Sequence, residues 1–229
     1  RLNLKFMIID IKYKLSSSIK KTSNHVLFVD EKFNISSLKK HFSKSEFSYV
    51  SDLLKNREEK KKILIFDINS KRKIILISIS KNFKGFNVEK LGAEFFDILK
   101  DSNIKEYFIV SETLSNKLKN LVGHFVHGIR LKSYSFEKYK SKKTKKNITI
   151  NIIGKNVPDQ KDKLKFNAIE EGTFYTRDLV SEPGNVLHPD EYAKRIGSLK
   201  KLGLKINILD EKKMKKLGMN TLLGVGQGS

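Results

Sequence analysis

His124 and His127 stand three residues apart in "LVGHFVHGIR", a spacing that on a helix turns two imidazoles toward one face, where a divalent metal could be held. The stretch carries no HExxH pattern and no acidic residue within a helical turn, so both are read as partly buried helix residues. "GVGQGS" (224–229) is a second candidate, a glycine loop for a phosphate. It lacks the third glycine of GxGxxG and has no following helix in the sequence, so a strand end that needs small residues for close packing is expected. Glu170 with Glu171, and Asp190 with Glu191, are adjacent pairs that point apart on a helix, which argues against paired acid–base work. Arg177 and Asp178 read as structural, and Ser181 has no evident histidine or acid arranged around it. With no cysteine, thiolate metal sites, cysteine nucleophiles and disulfides are excluded. The expectation is therefore no catalytic residue and no metal ligand in this span.

The formal net charge is +22, from 47 Lys+Arg against 25 Asp+Glu, which invites a polyanion partner. Arginine, which reads phosphates and bases bidentately, is found only at 1, 57, 72, 130, 177 and 195, and alanine only at 93, 168 and 193. Ile, Asn, Phe, Ser and Lys are abundant, and these are residues of AT-rich codons. A solvated lysine surface is the simpler reading. Weak, sequence-indifferent nucleic-acid binding, if present, would centre on Lys142, Lys143, Lys145 and Lys146.

The elements that must position these residues alternate. Strands are expected from Leu4, Phe6, Ile8 and Ile9 onward, and at 25–30, 62–68, 73–79, 105–111 and 147–154, all rich in Ile, Val, Leu and Phe. Continuous apolar runs of this kind suit strands covered on both faces. Helices are expected at 87–101, with Val88, Leu91, Phe95 and Leu99 in one stripe, and at 114–136. Alternating strands and helices imply an α/β fold with a mixed, mostly parallel sheet. The lysine-rich stretch 137–147 reads as a loop, and the polar segment 154–165, with Gly154 and Pro158, as a domain boundary. The expected domains are 1–156 and 157–229. No apolar run approaches the roughly 18 residues that span a bilayer, and the first residues alternate instead of forming a signal-peptide core. A cytoplasmic protein with no membrane partner is expected.

Two of the three prolines fall inside "TFYTRDLVSEPGNVLHPDEYAKRI" (173–196). A helix starting near Asp159, with Phe166, Ile169, Thr173 and Val180 on its apolar face, must stop near Glu182, because Pro183 disfavours the helical conformation before it. Pro189 suits a helix's first turn, and Asp190 and Glu191 follow where the N-terminus favours negative charge. The new helix, expected to bury Tyr192, Ile196 and Leu199, ends before Gly203. A strand at 204–209 and a short helix at 210–217 follow. The prolines are thus a stop and a start, marking entry from a linker helix into a second domain.

"TRDLVSEPGNVLHPDEYA", then "LDEKKMKKLGMNTLLGVGQGS", resembles the di-metal leucyl aminopeptidases over about the last quarter of the chain. "HFVHGIRLKSYSFEKYK" is similar to an earlier segment of that family. The resemblance implies a macrodomain-like N-terminal α/β domain, a linker helix and the first elements of an α/β peptidase domain. It also implies that full-length relatives release N-terminal amino acids from peptides with two divalent ions, zinc or manganese, and assemble as homo-hexamers. The family's metal ligands lie in later motifs, close to KGITFDSGG and NTDAEGR, that this sequence does not contain. The span is therefore expected to be inactive alone and to serve oligomer assembly and domain positioning. The start at Arg1 and the stop at Ser229 suggest a fragment of a longer chain. Other expectations kept open are a lysine-rich nucleic-acid-binding module and an inert product of a degraded gene.

Overall fold

The structure is a computed structural model that describes residues 9–14, 23–113, 120–141 and 147–227. Six strands form one sheet: β1 (Ile9–Lys14), β2 (His25–Val29), β3 (Ile63–Asn69), β4 (Arg72–Ser78), β5 (Glu106–Val110) and β6 (Ile148–Ile153), in the order β1-β6-β5-β2-β4-β3. Every neighbouring pair is parallel except β3 and β4, which form an antiparallel hairpin. The Asn69 side-chain oxygen makes that turn by accepting hydrogen bonds from the backbone N–H groups of Lys71 and Arg72. The mixed, mostly parallel sheet is the one its apolar runs imply.

Alternation along each strand sends successive side chains to opposite faces, and both faces are covered. On one face Val26 and Phe28 of β2 pack with Ile75 and Ile77 of β4, beneath α2 (Gly85–Asp101) and α3 (Leu121–Lys132). On the other, Leu27 and Val29 pack with Ile74 and Leu76, beneath a 3-10 turn at Ser36–His41 and α1 (Lys44–Lys55). No element is expected over 31–56, yet the start of α1 is written there. Ser43 accepts from the Glu46 N–H and Glu46 accepts from the Ser43 N–H, a complete capping box, and Val50 and Leu54 bury one face.

The helices α2 and α3 lie close because two glycines allow it. A Cβ on Gly128 would stand 1.9 Å from the Glu89 carbonyl oxygen, and one on Gly92 would stand 2.1 Å from that of Phe125. The expected helix over 114–136 is shorter where it can be followed. It stops at Lys132, capped by Ser133, whose hydroxyl donates to the Arg130 carbonyl, and Tyr134 then turns to stack on Phe174 at 5.5 Å. Residues 114–119, like Leu4, Phe6 and Ile8, lie outside the described residues.

The remaining elements are α4 (Gln160–Ser181), α5 (Pro189–Ser198), a 3-10 turn at Leu199–Leu202, α6 (Glu211–Lys216) and α7 (Asn220–Gln227). The chain divides into two compact units, Arg1–Tyr175 and Thr176–Ser229, with the division inside the sequence of α4. Pro183 follows the end of α4 and Pro189 is the first residue of α5.

Four expectations are corrected here. Residues 204–209 form no strand, because a strand needs a neighbour for its backbone hydrogen bonds and none of the described residues offers one. "GVGQ" belongs to α7, not to a strand end, since a helix satisfies its backbone within itself. The apolar face of α4 is also shifted: Ile169 and Val180 are exposed, while Glu170 and Phe174 are buried. In α5, Tyr192 is exposed and Ile196 is half-buried, as is Leu199 in the 3-10 turn that follows. Among the described residues no helix is long and apolar enough to cross a membrane.

Candidate functional site

A polar cluster of the first unit lies where α4 meets α3. Phe166 of α4 places its ring 5.2 Å from that of His124 and 5.1 Å from that of His127, so one aromatic side chain covers both histidines. Gly123 makes room for it, since a Cβ there would meet the Phe166 ring at 2.7 Å. Each imidazole has its own carboxylate. His124 Nδ1 lies 2.7 Å from Glu89 Oε1 of α2, and His127 Nδ1 lies 2.8 Å from Glu170 Oε1 of α4. Asn120, in the left-handed conformation that asparagine tolerates at φ 59°, caps the approach by donating its side-chain N–H to Asp162.

Arg130, two positions after Gly128, completes the cluster. One guanidinium nitrogen donates to Glu170 Oε2 at 3.0 Å and to Asn167 Oδ1 at 2.7 Å. Both oxygens of the buried Glu170 carboxylate are thereby used, which is how a charge survives out of water. Beside it opens a cavity of about 80 Å³ bordered by Tyr13, His127, Arg130, Lys163, Asn167 and Glu170. Burial pushes the Tyr13 hydroxyl above its ordinary range, with Arg130 pulling it back and Glu170 adding to the rise.

The two histidines thus share a helix face, as their spacing requires. Each spends Nδ1 on a separate carboxylate, and among the described residues no group of three His, Asp or Glu side chains could hold an ion. The acids come from other helices, so the lack of an acid within the local turn could not reveal them. Glu170 and Glu171 do point apart, one buried and the other exposed. The signal for Glu170 was its place in Phe166, Glu170, Phe174, a stripe of period four that turns a carboxylate inward among aromatics.

In the second unit Arg195 is the organising residue. It donates to Glu191 within α5 and to Glu182 across the proline turn, both at 2.9 Å. The hydrogen bond from Arg195 holds the Glu191 carboxyl below its usual range. Asp190, Ser181, Glu171 and Lys161 are exposed. Lys142, Lys143, Lys145 and Lys146 lie outside the described residues.

Residues 174–229 match the family described as "Cytosol aminopeptidase family, catalytic domain". A probable cytosol aminopeptidase of Bradyrhizobium sp. is 48% identical over 107 residues, covering 44% of this chain and 21% of that protein. One from Nitrobacter winogradskyi is 33% identical over 165 residues, covering 69% of this chain and 33% of its own length. Among solved structures, a tomato leucine aminopeptidase mutant superposes with a TM-score of 0.69 at 17% identity, over 92% of this chain and 46% of that one. The matches span about a fifth to a third of these curated relatives and under half of the solved structure.

Proposed function

Because the chain belongs to the cytosol aminopeptidase family and spans only part of its relatives' length, we propose that it is the N-terminal part of an enzyme that releases N-terminal amino acids from peptides. In this reading the first unit positions the catalytic domain and contributes to a homo-hexamer, and the second unit is the beginning of that domain. Two divalent ions, zinc or manganese, would be held by residues outside this chain. The described residues do not fit a two-metal centre, which needs clustered oxygen ligands a few Å apart.

The observation that carries the proposal is the bareness of the second unit. None of α5, α6 and α7 has a buried residue, and Leu204, Leu217, Leu222 and Val225 are all more than half exposed. Helices with uncovered apolar faces belong to a larger core. Asp210 caps α6 by accepting from the Lys213 N–H, so local structure is complete where burial is not.

The test is to purify the 229-residue chain and a longer product of the same gene, then measure bound metal and turnover of a leucine amide with added manganese. The longer product is expected to turn over and the chain alone to be inert. Two tightly held metals in the chain alone, with turnover abolished by His124→Ala or His127→Ala, would overturn the assignment.

A further inference from the structure

We propose that the cavity bordered by β1, α3 and α4 binds a small oxyanion, a carboxylate or inorganic phosphate, held by Tyr13, Arg130 and Lys163. The cavity's acceptors are taken while several of its donors are not. Glu170 is spent, one oxygen on His127 and the other on Arg130, and the Asn167 side-chain oxygen is taken by Arg130 as well. Donors remain on Arg130, Lys163 and Tyr13. Arg130 Nε is closed to solvent and has no acceptor among the described residues. The Lys163 ammonium lies 4.1 Å from the centre of the Tyr13 ring and forms no ion pair among the described residues. The Tyr13 hydroxyl has no hydrogen-bond partner there either, at a position where burial already disfavours its ionised form.

Charge points the same way. Even with His127 neutral, Arg130 and Lys163 set two positive charges against the single carboxylate of Glu170. A water molecule could bridge the donors but would leave that surplus in place, whereas an oxyanion meets both the donors and the charge. Size limits the ligand. About 80 Å³ exceeds the share of one water and falls well short of a nucleotide or peptide pocket, so the site suits a group of a few heavy atoms. An occupant would tie the sheet edge to both helices at once, so binding is read as stabilisation of the first unit.

The experiment is a titration of the full 229-residue chain with inorganic phosphate and, separately, with acetate, at constant ionic strength set by sodium chloride. Melting temperature and titration calorimetry are the readouts. A saturable rise in melting temperature is expected with either anion, and the anion that saturates first identifies the preferred geometry. Tyr13→Phe, which removes one donor and leaves the ring beneath Lys163, is expected to weaken binding about tenfold. Lys163→Met is expected to abolish it. Lys161→Met removes the same charge from an exposed position and should leave binding unchanged, which separates the site from general attraction to a basic protein. No saturable binding of either anion, or equal affinity in Lys163→Met and Lys161→Met, would overturn the proposal. Circular dichroism of each variant guards against unfolding, and Tyr13→Phe alone decides the matter if Lys163→Met fails to fold.

Discussion

His127 and Glu170 meet at 2.8 Å with each side chain only 5% exposed, so α3 and α4 are joined by a polar bond closed to water. A buried carboxylate is costly unless every lone pair is used, and here Arg130 takes the second oxygen. This pairing converts two positions that look unremarkable in sequence into a clasp between helices.

Removing one side of the clasp should cost more than the contact itself is worth. Glu170→Ala takes the acceptor from His127 and leaves Arg130 with Asn167 alone, and a loss of about 3–5 kcal/mol is expected from urea unfolding. Glu170→Gln keeps one acceptor oxygen and should lose less. Equal, small losses in both variants would show that the carboxylate is not the fastening.

Two glycines predict opposite signs. Gly128→Ala drives a Cβ against the Glu89 backbone and should destabilise by about 1–3 kcal/mol or more, since backbone on both sides must move. At Gly172, inside α4, an added Cβ meets nothing within 4 Å, so Gly172→Ala should stabilise by about 0.5–1 kcal/mol. Thermal melts of the two variants check the pair.

Burial, aided by the neighbouring charge of Lys40, pushes the His41 imidazole below its ordinary value of 6.5. His25 faces it edge-on at 6.2 Å, and Arg72, paired with Glu46, donates to its carbonyl. A histidine whose folded pKa is depressed binds its proton more readily when unfolded, so acid favours unfolding. Stability from this group should be intact above pH 6.5 and decline as pH falls through the folded value. His41→Gln should flatten that part of the pH–stability profile. An unchanged slope would assign the acid sensitivity to another group.

The domain boundary expected from sequence, between 156 and 157, makes a prediction for limited proteolysis. First cuts are expected within 137–147 or 155–165, where the sequence is polar and lysine-rich. Early cleavage within 62–79, which holds β3 and β4, would rule out that division, because β4 lies fully inside the sheet.

Strands β2, β4 and β5 were legible because each is covered on both faces, a condition that writes itself as a near-continuous apolar run, and β6 because its isoleucines recur at 148, 150, 152 and 153. The end of α4 and the start of α5 were equally legible, since the effect of proline on backbone conformation is local. The helix α1 was readable from Ser43 and Glu46, though no long apolar stripe announces it. At 204–209 and 224–227 an apolar composition suggested strands, but strand formation depends on a neighbour that no local pattern supplies.

What the sequence determined by itself is therefore whatever depends on neighbours along the chain: strand and helix periods, caps, proline boundaries, and the family motif in the last quarter. What only the tertiary structure decided is which distant groups meet. That His124 would face Glu89, that His127 and Arg130 would share Glu170, and that Tyr13 and Lys163 would border one cavity are separations of 35, 43, 40 and more residues closed by packing. Such pairings are set by where sheet and helices bring side chains together, and the electrostatic cost of a buried charge makes them matter once they meet.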